Sequence, residues 1–499
     1  MIRKIIQNFD AASREQPIVS ILIYSFLGFL RPAIYIFLLP LYLSVFSDSE
    51  YGLYDLMVTT GVIMAILVTA RLNAAMVTLY YDYHGNPAKQ KRYLSTLFTF
   101  SLLMALVTGL IFSLVGDSLF QIIFKSDSIQ FFPYGITILG YALLSEVNEC
   151  YYSFLKNEKN LKGYLFVILC QVLLMVLFQF LLIIVFRQGV QGALLGMLLA
   201  NLVTTIVIFL MEKNILTLKP DLTMVGNSLT YSVALIPYLL ITWALTRGGK
   251  IILERFDTLS QVGVFALLIT LTNIIVLAAG AVVSGVRPFL FELFAEKKQI
   301  KSVNNYREKV DILTKVVIVL PLLAVPFIVL VGSNINVITS KSAYLDLRDY
   351  ITFASLTIFL LVYAKLFYQQ IIFAKRSDLV TKLSFIVLIV LILGLYFWVP
   401  AYKIWGVLSA MAVANLLMSF LFYLYGKKSQ PINYNTGIVF ILPALIFGIL
   451  FIVEWMLVHN LDISQPMFGL IQFLILVPII LITNRRLIGE YKTLFLHNS

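Results

Sequence analysis

The side chains of this sequence that could do chemistry are mostly positive charges set inside long apolar segments. A charge in hydrocarbon is costly, so such a residue usually faces a water-filled cavity or an opposite charge. Arginine suits phosphate because its planar fork donates two parallel hydrogen bonds. Lys315 lies near a segment end, from which its side chain can reach water. The remaining cations predict an anion-binding cavity, and they are Arg31, Arg71, Arg247, Lys250, Arg287 and Lys365.

The seventh apolar segment carries its charges on one helix face. Trp243, Arg247, Lys250 and Glu254 recur at intervals of three or four residues, which places them along one side of a helix. One interpretation is a basic patch at the outer mouth of a cavity. The other is a surface ion pair between Lys250 and Glu254.

Aromatic and amide side chains accompany two of these cations. Tyr363 and Gln369 lie close to Lys365 in the sequence, and Trp243 lies close to Arg247. Tyrosine and tryptophan rings suit sugar rings, as amphipathic side chains with a polar end. Together with the cations, they favour a ligand that combines an anion with a sugar.

Two carboxylates interrupt the fourth apolar segment. Glu146 and Glu149 are three residues apart and flank Asn148, so we expect them on a shared helix face. In one interpretation they balance Arg31 or Arg71 inside the first group of helices. In the other they bind a coupling cation or proton.

Several kinds of chemistry are not indicated. The three histidines, His84, His459 and His497, lie outside the apolar segments, so we expect no metal site. Gly248-Gly249-Lys250 lacks the first glycine and the hydroxyl residue of a phosphate-binding loop. We expect no cofactor, no nucleic-acid partner and no disulfide between the two cysteines.

The composition requires the membrane as the main solvent. Of the 499 residues, 60% are hydrophobic and 12% are charged, whereas a soluble domain carries roughly 25% charged residues. An open sheet cannot satisfy its edges in lipid, so the fold is predicted to be all-α. Apolar runs predict fourteen transmembrane helices at 18–45, 52–80, 93–116, 131–155, 163–186, 189–211, 228–250, 262–293, 310–332, 349–374, 379–399, 402–425, 436–458 and 466–484.

The distribution of positive charge predicts the orientation. Of the 37 lysines and arginines, 24 fall in loops and termini on one side of the predicted spans and 7 on the other. Cytoplasmic loops carry the excess of Lys and Arg. Both termini are therefore predicted to be cytoplasmic. The same rule accounts for the net charge of +12 without invoking nucleic acid.

An internal repeat predicts two bundles. Gly52 and Gly263 each follow an acidic loop, and each precedes an aromatic residue by two positions. This similarity favours a parallel repeat of six helices plus six. The predicted domains are a six-helix bundle (1–211), a cytoplasmic loop (212–227), a second six-helix bundle (228–425), and two additional helices with a cytoplasmic tail (426–499).

Three stretches resemble the polysaccharide flippases of the multidrug/oligosaccharidyl-lipid/polysaccharide exporter superfamily. They are Glu50-Tyr-Gly-Leu-Tyr-Asp-Leu, the segment from Ser232-Val-Ala-Leu-Ile-Pro through Gln261-Val-Gly-Val-Phe, and Arg287-Pro-Phe-Leu-Phe-Glu-Leu-Phe. The resemblance implies export of an undecaprenyl-diphosphate-linked oligosaccharide across the bacterial cytoplasmic membrane, for O-antigen lipopolysaccharide, capsule or exopolysaccharide. It also implies glycosyltransferases and a polysaccharide polymerase as pathway partners. No cation-site motif of the family can be matched to this sequence.

The sequence therefore predicts a transporter and not an enzyme, a flippase that works by alternating access between two bundles. One alternative is a cation-coupled multidrug exporter of the same superfamily, in which acidic residues should dominate the cavity. A less favoured alternative is a membrane oligosaccharide polymerase or ligase, which usually needs a larger outer loop than this sequence contains.

Overall fold

The computed structural model describes residues 34–483 apart from 84, 218, 297–302, 336–338, 340, 375, 431, 433 and 461–464. Within these residues the chain is α-helical and contains no strand. It divides into two units, Met1–Gly263 and Val264–Ser499. The predicted boundaries of the bundles, with a linking loop at 212–227, remain a prediction.

The helices of unit 1 follow one another with short connections. In the described residues they are α1 (Ile34–Val45), α2 (Asp48–Thr69), α3 (Leu72–Leu79), α4 (Pro87–Ile123), α5 (Ile136–Asn157), α6 (Leu161–Phe180), α7 (Gly189–Met211), α8 (Leu222–Val233) and α9 (Ile236–Phe256). Helices α8 and α9 meet at a bend of 44°.

Unit 2 begins inside a long helix. From there the described helices are α10 (Leu259–Glu296), α11 (Val303–Ser333), α12 (Leu347–Phe373), α13 (Ser377–Ser429), α14 (Leu442–Asn460) and α15 (Gln465–Thr483). All but the first few residues of α10 belong to this unit.

Helix α13 is a hairpin of two antiparallel arms. Its backbone leaves the helical region at Lys403, where φ is 50° and ψ is −119°. A Cβ added at Gly394 would come within 2.9 Å of the Ala410 side chain, although sixteen residues of straight helix would separate them by about 24 Å. The predicted spans 379–399 and 402–425 are therefore the two arms of this hairpin.

Within the described residues each predicted span falls on helical backbone, but the second span is broken, and the seventh (228–250) is interrupted between α8 and α9. Ala70 and Arg71 both adopt left-handed backbone conformations, with φ of 48° and 51°, and separate α2 from α3. Each such non-glycine residue costs on the order of 1–3 kcal/mol. The continuous helix expected at 52–80 is thus corrected to two helices that meet at Arg71.

The described helices are those of a multi-pass membrane protein. Nine of them are long and apolar enough to cross a membrane, or ten if the bent pair is one span, and the α13 hairpin counts once in that number. The span 18–45 is described only from residue 34. The predicted orientation, with both termini in the cytoplasm, remains a prediction.

The turn that opens α2 is a capping box. The backbone N–H of Glu50 donates to Ser47 Oγ at 3.2 Å, and the backbone N–H of Ser47 donates to Glu50 Oε2 at 2.8 Å. This reciprocal arrangement satisfies two N–H groups that a helix start leaves without partners. It also fixes the entry of α2, on which Asp55 lies one turn further along.

Candidate functional site

Arg71 forms an ion pair inside unit 1. Its Nη1 donates to Glu146 Oε1 at 2.5 Å, and the Glu146 side chain is only 6% exposed. The two left-handed residues at the start of α3 set the position of the arginine, while α5 carries the carboxylate. Ser232 Oγ also donates to the Arg71 carbonyl at 3.5 Å. Arg31, the other predicted partner of these carboxylates, lies outside the described residues.

Lys250 forms a second ion pair, deeper in unit 1. Its Nζ donates to Asp55 Oδ2 at 2.5 Å, and the lysine is 3% exposed. The pair joins α9 to α2. Trp243 strengthens this junction, since its indole N–H donates to the Thr59 carbonyl at 3.1 Å.

One interpretation of the sequence was an ion pair between Lys250 and Glu254. The structure does not contain that pair. The Glu254 carboxylate accepts the backbone N–H groups of Lys125 and Ser126, at 2.7 to 3.1 Å. The neighbouring Arg255 donates through Nε to the Ile123 carbonyl at 3.1 Å. Glu254 thus accepts from backbone N–H groups just after α4, and Arg255 donates to a carbonyl in the last turn of α4. A basic side chain near a helix C-terminus can bond the last carbonyl groups in this way.

The two glycines of the repeated motif touch each other. A Cβ at Gly52 would collide with the Leu259 carbonyl and the Gly263 nitrogen, and one at Gly263 would collide with the Asp48 carbonyl. Ser260 Oγ donates to the Asp48 carboxylate at the same contact. Only glycine fits an approach of two backbones this close. The motif that indicated a repeat is therefore also a packing site between α2 and the start of α10.

Arg247 is half-buried in a wider helical turn, 244–248, in the middle of α9. Among the described side chains, no carboxylate lies within ion-pair distance of it. It is the one predicted cation of unit 1 that is described without such a partner.

The two predicted cations of unit 2 lie together. Arg287 Nε donates to Gln369 Oε1 at 2.9 Å, and Gln369 lies one helical turn beyond Lys365 on α12. Gln369 Nε2 donates to the Lys365 backbone carbonyl at 3.0 Å, one helical turn back on α12. The Lys365 ammonium lies beside Gly280 of α10, because a Cβ added at Gly280 would be in van der Waals contact with Lys365 Nζ at 3.6 Å.

No described carboxylate neutralises this pair of cations. Among the described residues, the ion pairs of unit 2 do not include Arg287 or Lys365, and the two positive charges are close enough to act on each other. Lys365 is eight residues from the end of α12, a distance of about 12 Å. In the predicted orientation that end is cytoplasmic.

Glu149 lies apart from Glu146. A step of three residues turns a helix by about 300°, so the two side chains diverge by about 60°. Glu146 faces Arg71, whereas Glu149 lines a cavity inside unit 1 that has a volume of about 360 Å³. The face that the sequence predicted for both carboxylates is therefore shared only in part.

Asp55 is an acidic residue within a predicted span to which the sequence assigned neither a partner nor a role. Its position in a strongly apolar helix by itself signals a need for a cation. Its partner lies 195 positions away along the chain, and no local pattern connects the two. In the described part of the chain, His, Cys, Asp and Glu form no group of three or more that could hold a metal ion.

No model of a known protein family matches the chain, and no curated protein sequence matches it. Solved structures do. One is described as the inward-facing conformation of a multidrug resistance MATE family transporter of the MOP superfamily, with a TM-score of 0.63 and 14% identity, covering 80% of this chain and 94% of that one.

Lipid II flippase MurJ in its inward closed conformation gives a TM-score of 0.60 at 14% identity, covering 92% of this chain and 100% of that one. The Vibrio cholerae MATE transporter VcmN in its bent form gives 0.55 at 14% identity, covering 83% and 98%. The chain has the fold of MATE transporters and MurJ. These three neighbours are transporters and a flippase, not enzymes.

Proposed function

We propose that this chain is a flippase for an anionic lipid-linked oligosaccharide. The lipid carrier of this substrate is undecaprenyl diphosphate. The observation that carries the proposal is the pair Arg287 and Lys365, which lie on neighbouring parts of α10 and α12 and are accompanied by no described carboxylate. A diphosphate that leaves water loses strong hydration, and fixed positive charge is what replaces it. Two neighbouring cations meet that requirement.

The position of the cluster fits the direction of transport. In the predicted orientation, Arg287 and Lys365 lie toward the cytoplasmic end of α10 and α12. Lipid-linked intermediates that are assembled in the cytoplasm would meet this end first. Arg247 stays a second candidate contact, in unit 1, and Arg31 stays a candidate outside the described residues.

Arg71 and Lys250 take a different role in this proposal. Each is already bound to a carboxylate within unit 1, and Lys250 is almost completely buried. A ligand phosphate would have to displace Glu146 or Asp55, leaving a buried carboxylate without its cation. We therefore assign both cations to the stability of unit 1, with Glu146 as the charge-balancing residue of the two α5 glutamates.

The second candidate is a cation-coupled multidrug exporter, because MATE transporters share the fold. A pocket for drug cations should be dominated by acidic or aromatic groups. The arrangement of Arg287 and Lys365 argues against a cationic substrate at that place.

For the flippase proposal, the pathway partners are glycosyltransferases and a polymerase. The chain would act in the bacterial cytoplasmic membrane.

The deciding experiment compares the two substrates in one preparation. The purified chain in proteoliposomes is supplied with undecaprenyl-diphosphate-linked oligosaccharide, and its transfer to the opposite leaflet is followed by accessibility to a glycosidase. Ethidium uptake is measured in parallel. We expect lipid transfer without ethidium transport; ethidium transport without lipid transfer would establish the exporter instead.

A further inference from the structure

A cavity inside unit 1 takes no part in the cation arrangement described above. It lies among α1, α5, α6 and α7 and has a volume of about 360 Å³, toward the small end of the 300–1,000 Å³ typical of ligand pockets. Tyr141, Ser145 and Glu149 line it at intervals of four residues along one face of α5. Its size suits one ring rather than a whole oligosaccharide or a lipid chain.

The back wall of this cavity is an ordered amide network. Tyr152 donates to Gln171 Oε1 at 2.9 Å, and Gln171 Nε2 donates to Asn201 Oδ1 at 2.9 Å. Asn148 Nδ2 donates to Asn201 Oδ1 at 3.2 Å, and Thr205 donates to Asn148 Oδ1 at 2.9 Å. All these groups are buried. The network fixes which way each amide points, so the wall offers oriented polar groups at no cost of ordering on binding.

Aromatic rings form much of the remaining surface. The hydroxyls of Tyr35 and Tyr141 hydrogen bond at 2.8 Å, which joins α1 to α5 at the cavity. Tyr164 also lines it, with the Lys156 ammonium 5.1 Å from its ring centre. The lining thus combines aromatic rings with hydroxyl and amide groups.

The lining carries one charge of each sign in the part of the chain that the structure describes. These charged lining residues are Glu149 and Lys156. A phosphate would meet the carboxylate, and a divalent cation would find one carboxylate where it needs several oxygen ligands. An uncharged ligand with many hydroxyls has no such conflict.

We infer that this cavity binds one uncharged sugar ring. Tyrosine faces contact the C–H face of the ring, and the Glu149 carboxylate and the amide wall accept and donate hydrogen bonds to its hydroxyls. This inference rests on the proposed function in one respect, that the ring is a residue of the transported oligosaccharide. The cavity is then a sugar subsite within unit 1.

The test uses the full chain in nanodiscs, with methyl glycosides of glucose, galactose and N-acetylglucosamine as probes. Saturation-transfer NMR measures their binding. Ser145→Phe places a ring in the cavity, and Ser113→Phe on α4 is the matched control, because Ser113 is exposed and lies far along the sequence from the lining. We expect at least one glycoside to bind saturably, Ser145→Phe to weaken it tenfold or more, and Ser113→Phe to leave it unchanged.

Two further variants keep the result interpretable. Glu149→Gln preserves the shape of the side chain and should weaken glycoside binding severalfold. Lys365→Gln should leave glycoside binding unchanged while weakening inorganic pyrophosphate binding. If no glycoside binds, or if Ser145→Phe binds as well as the control, the sugar subsite is wrong.

The remaining outcomes separate this inference from the proposed function. Sodium or tetraethylammonium that binds saturably and is lost in Ser145→Phe would make the cavity a cation site and overturn the inference. Pyrophosphate binding without glycoside binding would leave the flippase proposal standing alone. Glycoside binding without pyrophosphate binding or lipid transfer would retain the sugar subsite and remove the flippase proposal.

Discussion

The predicted cations of unit 1 and unit 2 look alike in the sequence and differ in their partners. Arg71 and Lys250 each reach a carboxylate on another helix of unit 1. Arg287 bonds the Gln369 amide, and the Lys365 ammonium lies beside Gly280. A charge with a built-in counterion holds helices together, whereas one without a described counterion is available to an anionic ligand. The partner decides the role, and the residue type does not.

The sharpest way to break this comparison is to remove one member of the deepest pair. Lys250→Ala leaves Asp55 buried without its cation, which typically costs about 3–5 kcal/mol. We expect the free energy of unfolding of the purified chain in detergent to fall by about that amount. The double variant Asp55→Leu with Lys250→Met should recover most of the loss, since apolar residues can replace a buried pair. If the Lys250→Ala single variant is as stable as the parent, Lys250 does not have the stabilising role assigned to it.

Arg71 should behave in the same way with a smaller effect. Its side chain is 33% exposed, so water can partly replace it at Glu146. Arg71→Gln should cost about 1–3 kcal/mol of unfolding free energy, and adding Glu146→Gln should restore it. Thermal unfolding of the two variants side by side makes the measurement. If Arg71→Gln unfolds like the parent but loses lipid transfer, the arginine belongs with the ligand-binding cations.

The unit 2 cations should show the opposite pattern. Lys365→Gln and Arg287→Gln leave no described carboxylate stranded, so we expect unchanged thermal unfolding. Inorganic pyrophosphate binding should weaken at least tenfold, which corresponds to about 1.4 kcal/mol. Lys382→Gln is the matched control, because it removes a positive charge from an exposed side chain of the same unit. Loss of stability with intact pyrophosphate binding would reverse the assignment.

The smallest expected effect concerns a carboxyl outside the spans. Burial raises the pKa of Glu158 above its ordinary value of 4.5, Glu212 raises it further, and Lys91 opposes them. Because the folded pKa exceeds the unfolded one, the ionised carboxyl is the less stable form in the folded chain. Stability should therefore fall as pH rises from 4.5 through the folded pKa, and stay level above it.

Glu158→Gln should abolish that step in unfolding midpoints measured between about pH 4 and pH 8. Asp378→Asn, at an exposed position, serves as the control. A step that persists in Glu158→Gln would belong to another carboxyl. The role of a buried acid therefore also depends on its partner: the positive charge near Glu158 is too weak to offset the effect of burial on its pKa.

Much of the fold could be predicted because it depends on local properties. Each apolar segment must be a helix in lipid, whatever surrounds it, since its backbone groups have no other partners. The turn at Glu50 also follows from its own residues, because Ser47 and Glu50 have the spacing of a capping box. The break at Arg71 could not be predicted in the same way, since two non-glycine residues adopt left-handed conformations only when their surroundings enforce them.

The candidate site divides along the same line. The sequence by itself determined which helices exist, which of them carry charge, and that most of the deep charges are positive, because each of these is a property of one segment. Only the tertiary structure decided that Lys250 meets Asp55, that Arg71 meets Glu146, that Arg287 meets Gln369, and that Glu149 faces a cavity. These contacts join residues 75 to 195 positions apart. Coulomb attraction and hydrogen bonding depend on the distance between two groups in space, over a few ångströms. The number of residues between the two groups along the chain does not determine that distance.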